Sequence, residues 1–119
     1  MTVEEIKRKR ADSLLRELIP EALSRLGDER LRNLTVTEVV CSKGRSDADV
    51  YLDPSGLDEG EQKQILKQLK KVSRGLEAYC LKAAGWYRTP RFHFRFDKEF
   101  ERVKRIEELF EQIERELKS

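Results

Sequence analysis

The chain has 119 residues, 38% of them hydrophobic and 40% charged, and 25 basic against 23 acidic side chains leave a formal charge of +2. This length suits one domain with its own core, residues 1–119, and the near-cancellation of charge argues against a disordered chain. No segment approaches the ~20 apolar residues of a membrane span, and the N-terminus lacks the apolar core of a secretion signal, so we expect a cytoplasmic protein with no membrane partner.

The first predicted element is a helix over residues 3–26. Pro20 lies inside it and predicts a kink or a fresh turn, and Gly27 predicts its C-cap. The apolar residues that recur there with a 3.6-residue period are Leu14, Leu15, Leu18, Ile19, Ala22, Leu23 and Leu26.

Two strands are predicted next. Residues 34–41 are rich in β-branched side chains, and residues 48–52 alternate apolar with polar side chains. Five residues, 42–46, separate the two segments, which predicts an antiparallel hairpin.

Helical periodicity returns over residues 58–84. An unbroken helix of that length would measure about 40 Å, whereas a compact domain of this size is roughly 35 Å across. Ser73 and Gly75 weaken a helix interior. We therefore predict two helices joined by a kink at Ser73–Gly75.

A third strand and a last helix complete the chain. Phe92, Phe94 and Phe96 alternate with polar residues, which predicts a half-buried strand, and residues of about 98–118 predict an amphipathic helix. The order is α-β-β-α-α-β-α, an α+β fold with a small sheet covered by helices on one face.

Catalytic signals are weak in this sequence. His93 is the only histidine, and it lies on the polar side of a predicted strand without a cysteine or serine partner. Cys41 and Cys80 lack a CxxC spacing and predict two free, buried thiols. The chain has no phosphate-binding loop and no dinucleotide fingerprint, so we expect no enzyme and no cofactor.

Three aspartates raise the question of a cation site. Asp47, Asp49 and Asp53 follow the face of a strand and lack the glycine and the terminal glutamate of a calcium loop. There is also no zinc-ligand pairing. We expect a solvated strand face and no metal.

The aromatic residues allow two interpretations. The phenylalanine ladder resembles a base-stacking platform, but the third strand has no other side chains to supply the core, which favours burial. Trp86 and Tyr87 stand beside Arg88, and either stacking on a nucleobase or a partly buried cap on the third strand fits them.

The clearest functional signal is a basic helical segment from about Glu61 to Arg88. Its basic residues fall on one side of the helix and its apolar residues on the other, with few acids among the bases. A solvated face is the usual interpretation of such a run, but exposed helices normally mix both signs of charge. The segregation favours a polyanion such as RNA.

Four segments resemble the bacterial ribosome-binding factor A family, in the same order and over nearly the whole chain. They are 28–39 (DERLRNLTVTEV, against D-P-R…V-T-x-V-E), 48–52 (ADVYL, against A-x-V-Y-V), 90–97 (PRFHFRFD, against P-E-L-x-F-x-x-D) and 105–109 (RIEEL, against R-I-x-x-L).

The resemblance implies a type II KH-like fold, α-β-β-α-(kink)-α-β, here with an additional C-terminal helix. It also implies a non-catalytic monomer that binds free 30S subunits rather than 70S ribosomes, assists late 16S rRNA maturation and supports cold adaptation. The family replaces the Gly-x-x-Gly loop of KH domains with a kink, and this chain likewise has no such loop. Glu77 stands where the family often has an arginine.

Charge pattern and resemblance together give a set of candidate contacts. The candidate RNA-binding residues are Arg8, Lys9, Arg10, Lys43, Arg45, Lys67, Lys70, Lys71, Arg74, Arg88 and Arg91. Three alternatives stay open: a KH-like protein that binds other RNA, a protein-interaction module that uses the C-terminal helix, and a metal-dependent enzyme that uses the strand aspartates.

Overall fold

The computed structural model describes residues 1–118, apart from the side chain of residue 101. The mixed order of helices and strands confirms the predicted α+β fold. The elements are α1 (Val3–Ser24), α2 (Glu29–Arg32), β1 (Val36–Cys41), β2 (Asp47–Leu52), α3 (Glu59–Ala84), β3 (Arg91–Phe96) and α4 (Lys98–Lys118).

The three strands form one sheet in the order β1-β2-β3. The β1–β2 pair is the predicted antiparallel hairpin, and a bulge lies between Val36 and Glu38. The β2–β3 pair is parallel, with α3 as the crossover between the two strands. β2 lies between the other two strands, so β3 is at one edge of the sheet. α1 packs on β1, α3 packs on β3, and the two helices pack on each other, so both cover the same face.

The core lies between the sheet and these two helices. Ala48, Val50 and Leu52 of β2 are fully buried, which confirms the predicted alternation. Phe92 is also buried, and Phe94 and Phe96 pack against the same core, so the phenylalanine ladder is structural. Each large apolar side chain buried in this way contributes roughly 1.5–3 kcal/mol. The helical residues buried with them include Leu15, Ile19 and Leu23 of α1 and Ile65, Leu69, Leu76 and Cys80 of α3.

The structure has one helix where two were predicted, and a bend at Ser73–Gly75 within that helix stays a prediction. The chain stays α-helical from Glu59 to Ala84, through Ser73 and Gly75. The length argument assumed a roughly spherical domain, whereas the molecule extends 58 × 39 × 20 Å and accommodates the whole helix. The Ser73 hydroxyl donates to the Lys70 carbonyl at 3.0 Å, so this polar side chain is accommodated inside the helix by a bond to the helix backbone.

Three smaller features also differ from expectation. α1 continues through Pro20 and ends at Ser24, with Arg25 rather than Gly27 as the C-cap. The first strand begins at Val36 instead of residue 34. A short helix that was not predicted, α2, lies before this strand, and the Asp28 side chain caps its N-terminus.

α4 stands apart from the core. Asp97 caps it by accepting from the Phe100 N–H at 2.9 Å, and the Thr37 hydroxyl donates to the same carboxylate. Lys104 adds a contact to the Ser55 hydroxyl at 3.2 Å. Among the described residues, α4 contributes no side chain to the core and packs closely on no other element. Its exposed apolar residues are Phe100, Val103, Ile106, Leu109, Phe110, Ile113 and Leu117.

Candidate nucleic-acid interface

Capping residues determine where α3 begins and ends, and its buried residues determine which side faces the solvent. Asp58 and Glu61 form a reciprocal capping box at the N-terminus, and Gly85 ends the helix in the left-handed conformation at φ 68°. Since Leu69 and Leu76 lie fully in the core, the basic side chains on the opposite side of the helix project into solvent.

An open groove of about 990 Å³ runs between α3 and the free edge of β3. We call it the α3–β3 groove. Its basic lining comes from both elements, and Leu66 and Phe94 add apolar surface to it. Such a concave surface, with bases on both walls, suits a chain of phosphates better than a single small anion. The basic residues that line it are Lys70, Lys71, Arg74, Arg91 and Arg95.

One acidic residue lies among these bases. The Glu77 Oε2 atom accepts from the Phe92 N–H at 3.1 Å. The neighbouring Arg91 N–H donates to Ser46 on the β2 side, so in β3 the N–H of the next residue points to the free edge. Glu77 thus satisfies an edge-strand donor and at the same time lowers the positive charge of the groove.

The open face of the sheet is polar and internally paired. His93 Nε2 lies 2.7 Å from Asp47 Oδ1, and Arg95 Nε lies 3.5 Å from Asp49 Oδ1. The hydrogen bond from His93 holds the pKa of the Asp47 carboxyl below its ordinary value. Asp47 and Asp49 are therefore each paired with a side chain of β3. No group of three or more potential metal ligands lies together in the described part of the chain.

A second basic surface lies at the end of the sheet where the β1–β2 turn meets the loop between α3 and β3. We call it the hairpin-end surface. It contains two shallow cavities of about 230 and 190 Å³. Gly44 and Arg45 of the turn both adopt positive φ, 85° and 56°, which places Arg45 at the lip of both cavities. The residues that define this surface are Lys7, Arg10, Arg45, Trp86, Tyr87 and Arg88.

The candidate RNA-binding residues divide between these two surfaces and the remaining exterior. Lys70, Lys71, Arg74 and Arg91 line the α3–β3 groove. The hairpin-end surface contains three more, Arg10, Arg45 and Arg88. Four lie outside both linings: Arg8, Lys9, Lys43 and Lys67.

Sequence reasoning omitted several residues that these surfaces contain. Arg95 was visible as a polar position of an alternating strand, but nothing in the sequence placed it opposite α3. Lys7 was visible as one of several N-terminal bases, and only the fold selects it over Lys9. The bond from Glu77 to β3 has no sequence signal, because it depends on a contact between residues 15 positions apart.

The cysteines offer no reactive thiolate. Cys41 and Cys80 are both free and buried, as predicted. Burial raises the pKa of each thiol from 9.0 to about 12, and the Asp12 carboxylate contributes to the shift of Cys41. A thiol with so high a pKa is a poor nucleophile at neutral pH.

Comparison with known proteins gives one consistent result. A model of the family described as "Ribosome-binding factor A" matches residues 7–110. A protein of that name from Campylobacter jejuni is 51% identical over 116 residues, which cover 98% of this chain and 97% of the relative. Within the described residues, no helix is long and apolar enough to cross a membrane.

Solved structures agree with the sequence relatives. The solution structure of a ribosome binding factor A from Thermotoga maritima superposes with a TM-score of 0.68 at 29% identity, covering 77% of this chain and 88% of that one. A homology model of the Thermus thermophilus ribosome binding factor A, fitted into a cryo-EM map of a 30S complex, gives a TM-score of 0.58 at 31% identity, with coverages of 70% and 87%. These neighbours have the KH-like fold that the sequence predicted.

Proposed function

The chain belongs to the ribosome-binding factor A family, and on that premise we propose that it is a non-catalytic assembly factor of the 30S subunit. It binds the subunit in the cytoplasm and assists late maturation of 16S rRNA. The observation that carries the proposal is the α3–β3 groove, whose bases line both walls. The 30S complex of the Thermus thermophilus relative supports the same partner.

The mechanism is recognition of the RNA backbone. Lys70, Lys71 and Arg74 on α3 face Arg91 on β3, so phosphates in the groove meet bases from two directions. Each neutralised phosphate releases condensed counterions, and four such contacts to a single strand give a slope of about −3 in a plot of log affinity against log salt. Binding of this kind fixes the position of the protein on the subunit and requires no base to be read.

The test reverses the charge of the groove. Lys70→Glu, Lys71→Glu and Arg74→Glu together are expected to abolish co-sedimentation with 30S subunits through a sucrose gradient. The matched control is Arg16→Glu, Lys98→Glu and Lys118→Glu, which changes the net charge equally at exposed positions outside the groove lining. Equal loss in both variants, or retention in both, would refute the groove as the contact surface.

The same gradient separates the partners. We propose that the wild-type chain sediments with free 30S subunits and is absent from 70S ribosomes. A KH-like protein that acts on other RNA would remain at the top of the gradient and still bind RNA in a filter assay. A protein-interaction module that uses α4 would show no dependence on the groove charges or on salt.

A further inference from the structure

Tyr87 is fully exposed to solvent, the most exposed of the large apolar and aromatic side chains described. Its neighbour Trp86 behaves differently, since its ring is partly buried and packs against the core, while its backbone N–H donates to the Leu81 carbonyl at 3.1 Å. The two interpretations of this aromatic pair therefore divide between the residues. Trp86 is the cap, and Tyr87 is a free ring at the surface.

The surroundings of Tyr87 are basic. The cavity beside it is lined by Arg45 from the β1–β2 turn, by Arg88 and by Trp86, and it contains no acidic residue. The adjoining cavity adds Lys7 and Arg10 from α1, again with no acid. Glu4, which accepts from the Gly44 N–H at 3.5 Å, lies outside both linings. An exposed ring between guanidinium groups matches the stacking sites of single-strand binders.

This surface also continues the α3–β3 groove. Arg88 belongs to the hairpin-end surface and Arg91 to the groove, and three residues of chain span at most ~11 Å. The hairpin is held against β3 at this point, because the Arg91 N–H donates to the Ser46 carbonyl at 3.0 Å. A strand of RNA that leaves the groove past Arg91 therefore meets Tyr87 within one or two nucleotides.

We propose that Tyr87 is a nucleobase-stacking site that receives an unpaired base of the RNA bound in the α3–β3 groove, with Arg45 and Arg88 on the flanking phosphates. This inference rests on the proposed function and specifies the form of the RNA. The groove binds the backbone of either a duplex or a single strand, whereas an exposed ring stacks only on a base that is free of its partner. The chain therefore prefers RNA that is not yet paired at this position.

The experiment uses the full chain and one RNA in two forms, a mixed-sequence 12-nucleotide strand and the same strand annealed to its complement. Trp86 is the only tryptophan and lies beside the proposed site, so its fluorescence reports a stacked base. The single strand is expected to quench it and the duplex to leave it nearly unchanged. Tyr87→Ala is expected to weaken single-strand binding by about 5-fold to 150-fold, the range that alanine substitution gives for loss of one base–aromatic stack.

Two further variants isolate the ring face. Tyr87→Phe keeps the stacking surface and is expected to bind the single strand as the wild type does. Phe110→Ala removes an exposed ring from α4, outside both surfaces, and is expected to change nothing. Since Tyr87 is solvent-exposed, its replacement leaves the core intact, which a thermal unfolding curve verifies.

The outcomes separate this proposal from the function it rests on. Loss of binding in the groove variant with no effect of Tyr87→Ala overturns the stacking site and leaves the proposed function standing. Equal weakening of single strand and duplex by Tyr87→Ala, or equal weakening by Tyr87→Phe, also overturns it. An effect of Tyr87→Ala with a fully active groove variant overturns the groove, and with it the proposal that the stacked base belongs to RNA bound there. Binding to phosphatidylserine vesicles in place of RNA overturns both.

Discussion

Glu77 has two opposing effects on the α3–β3 groove. Its carboxylate satisfies the Phe92 N–H, which would otherwise face the groove without a partner from the sheet. It also places a negative charge beside Lys70 and Arg74, where phosphates are proposed to bind. Glu77 is therefore an acid within the candidate interface.

Replacing Glu77 with glutamine separates these effects. The amide oxygen of Glu77→Gln still accepts from Phe92, while the negative charge is removed. We expect RNA affinity at low salt to rise ~5-fold, roughly 1 kcal/mol for one charge near contact in a water-like medium, and the gain to shrink as salt increases. Filter binding at two salt concentrations measures it. Glu108→Gln on α4 is the control, and an equal gain there would show a general charge effect.

The buried thiols give a prediction that depends on pH. With the pKa of Cys41 and Cys80 raised from 9.0 to about 12, the thiolate fraction at pH 8 falls about a thousandfold. Alkylation by iodoacetamide at pH 8 is therefore expected to be slower by at least that factor in the folded protein than in urea. Mass spectrometry after timed quenching follows both sites. Comparable rates in the two states would show that the thiols are accessible and ionised.

The residues of the site were only partly predictable. The bases of α3 could be assigned to one face because helical period alone determines the face. The position of Arg91 and Arg95 opposite that face depends on β3 pairing parallel to β2 at the edge of the sheet, which no local pattern encodes. Tyr87 and Trp86 are adjacent and chemically similar, and only the packed structure shows which of them is free.

At the scale of the elements, α3 differs most from expectation. Periodicity correctly predicted helix over almost its whole length. The predicted break came from an assumption about overall shape, which the elongated molecule does not meet. The prediction that Gly27 caps α1 was also wrong. A glycine marks a C-cap where the chain turns left-handed, and here Arg25 ends α1 instead.

Two glycines of α3 should respond to alanine with opposite sign. Gly75 lies inside the helix, and a Cβ there would have no heavy atom within 4 Å, so Gly75→Ala is expected to stabilise the protein by ~0.5–1 kcal/mol. Gly85 adopts φ 68°, so Gly85→Ala is expected to destabilise it by about 1 kcal/mol. Urea unfolding followed by circular dichroism measures both. If Gly75→Ala destabilised instead, the helix would need the flexibility of glycine at that position.

At the scale of the whole molecule, the chain has one core and a helix that adds little to it. The buried apolar residues come from α1, α2, the three strands and α3, and α4 contributes none among the described residues. The bonds that attach α4 involve exposed or half-exposed groups such as the Lys104–Asp53 pair at 3.9 Å, which contributes at most ~1 kcal/mol.

Removing α4 should therefore change stability little. A chain ending at Asp97 is expected to unfold within ~5 °C of the full protein, because no core contact is lost. Leu69→Ala in the full chain is the contrast, since it empties a fully buried position and is expected to cost ~2–5 kcal/mol. Thermal unfolding followed by circular dichroism compares them. A large loss on truncation would mean that the apolar face of α4 is buried in solution.

The bond between Glu77 and β3 has a consequence for the behaviour of the chain at high concentration. A bare edge strand is a template on which another copy can add a strand, the first step toward an insoluble aggregate. Here the Glu77 carboxylate already accepts from the Phe92 N–H. Arg91 and Arg95 give the strand positive charge, so it repels the same strand of an approaching copy. Glu77 thus lowers the affinity of the groove for RNA and also protects the edge of the sheet against self-association. One side chain therefore determines both properties.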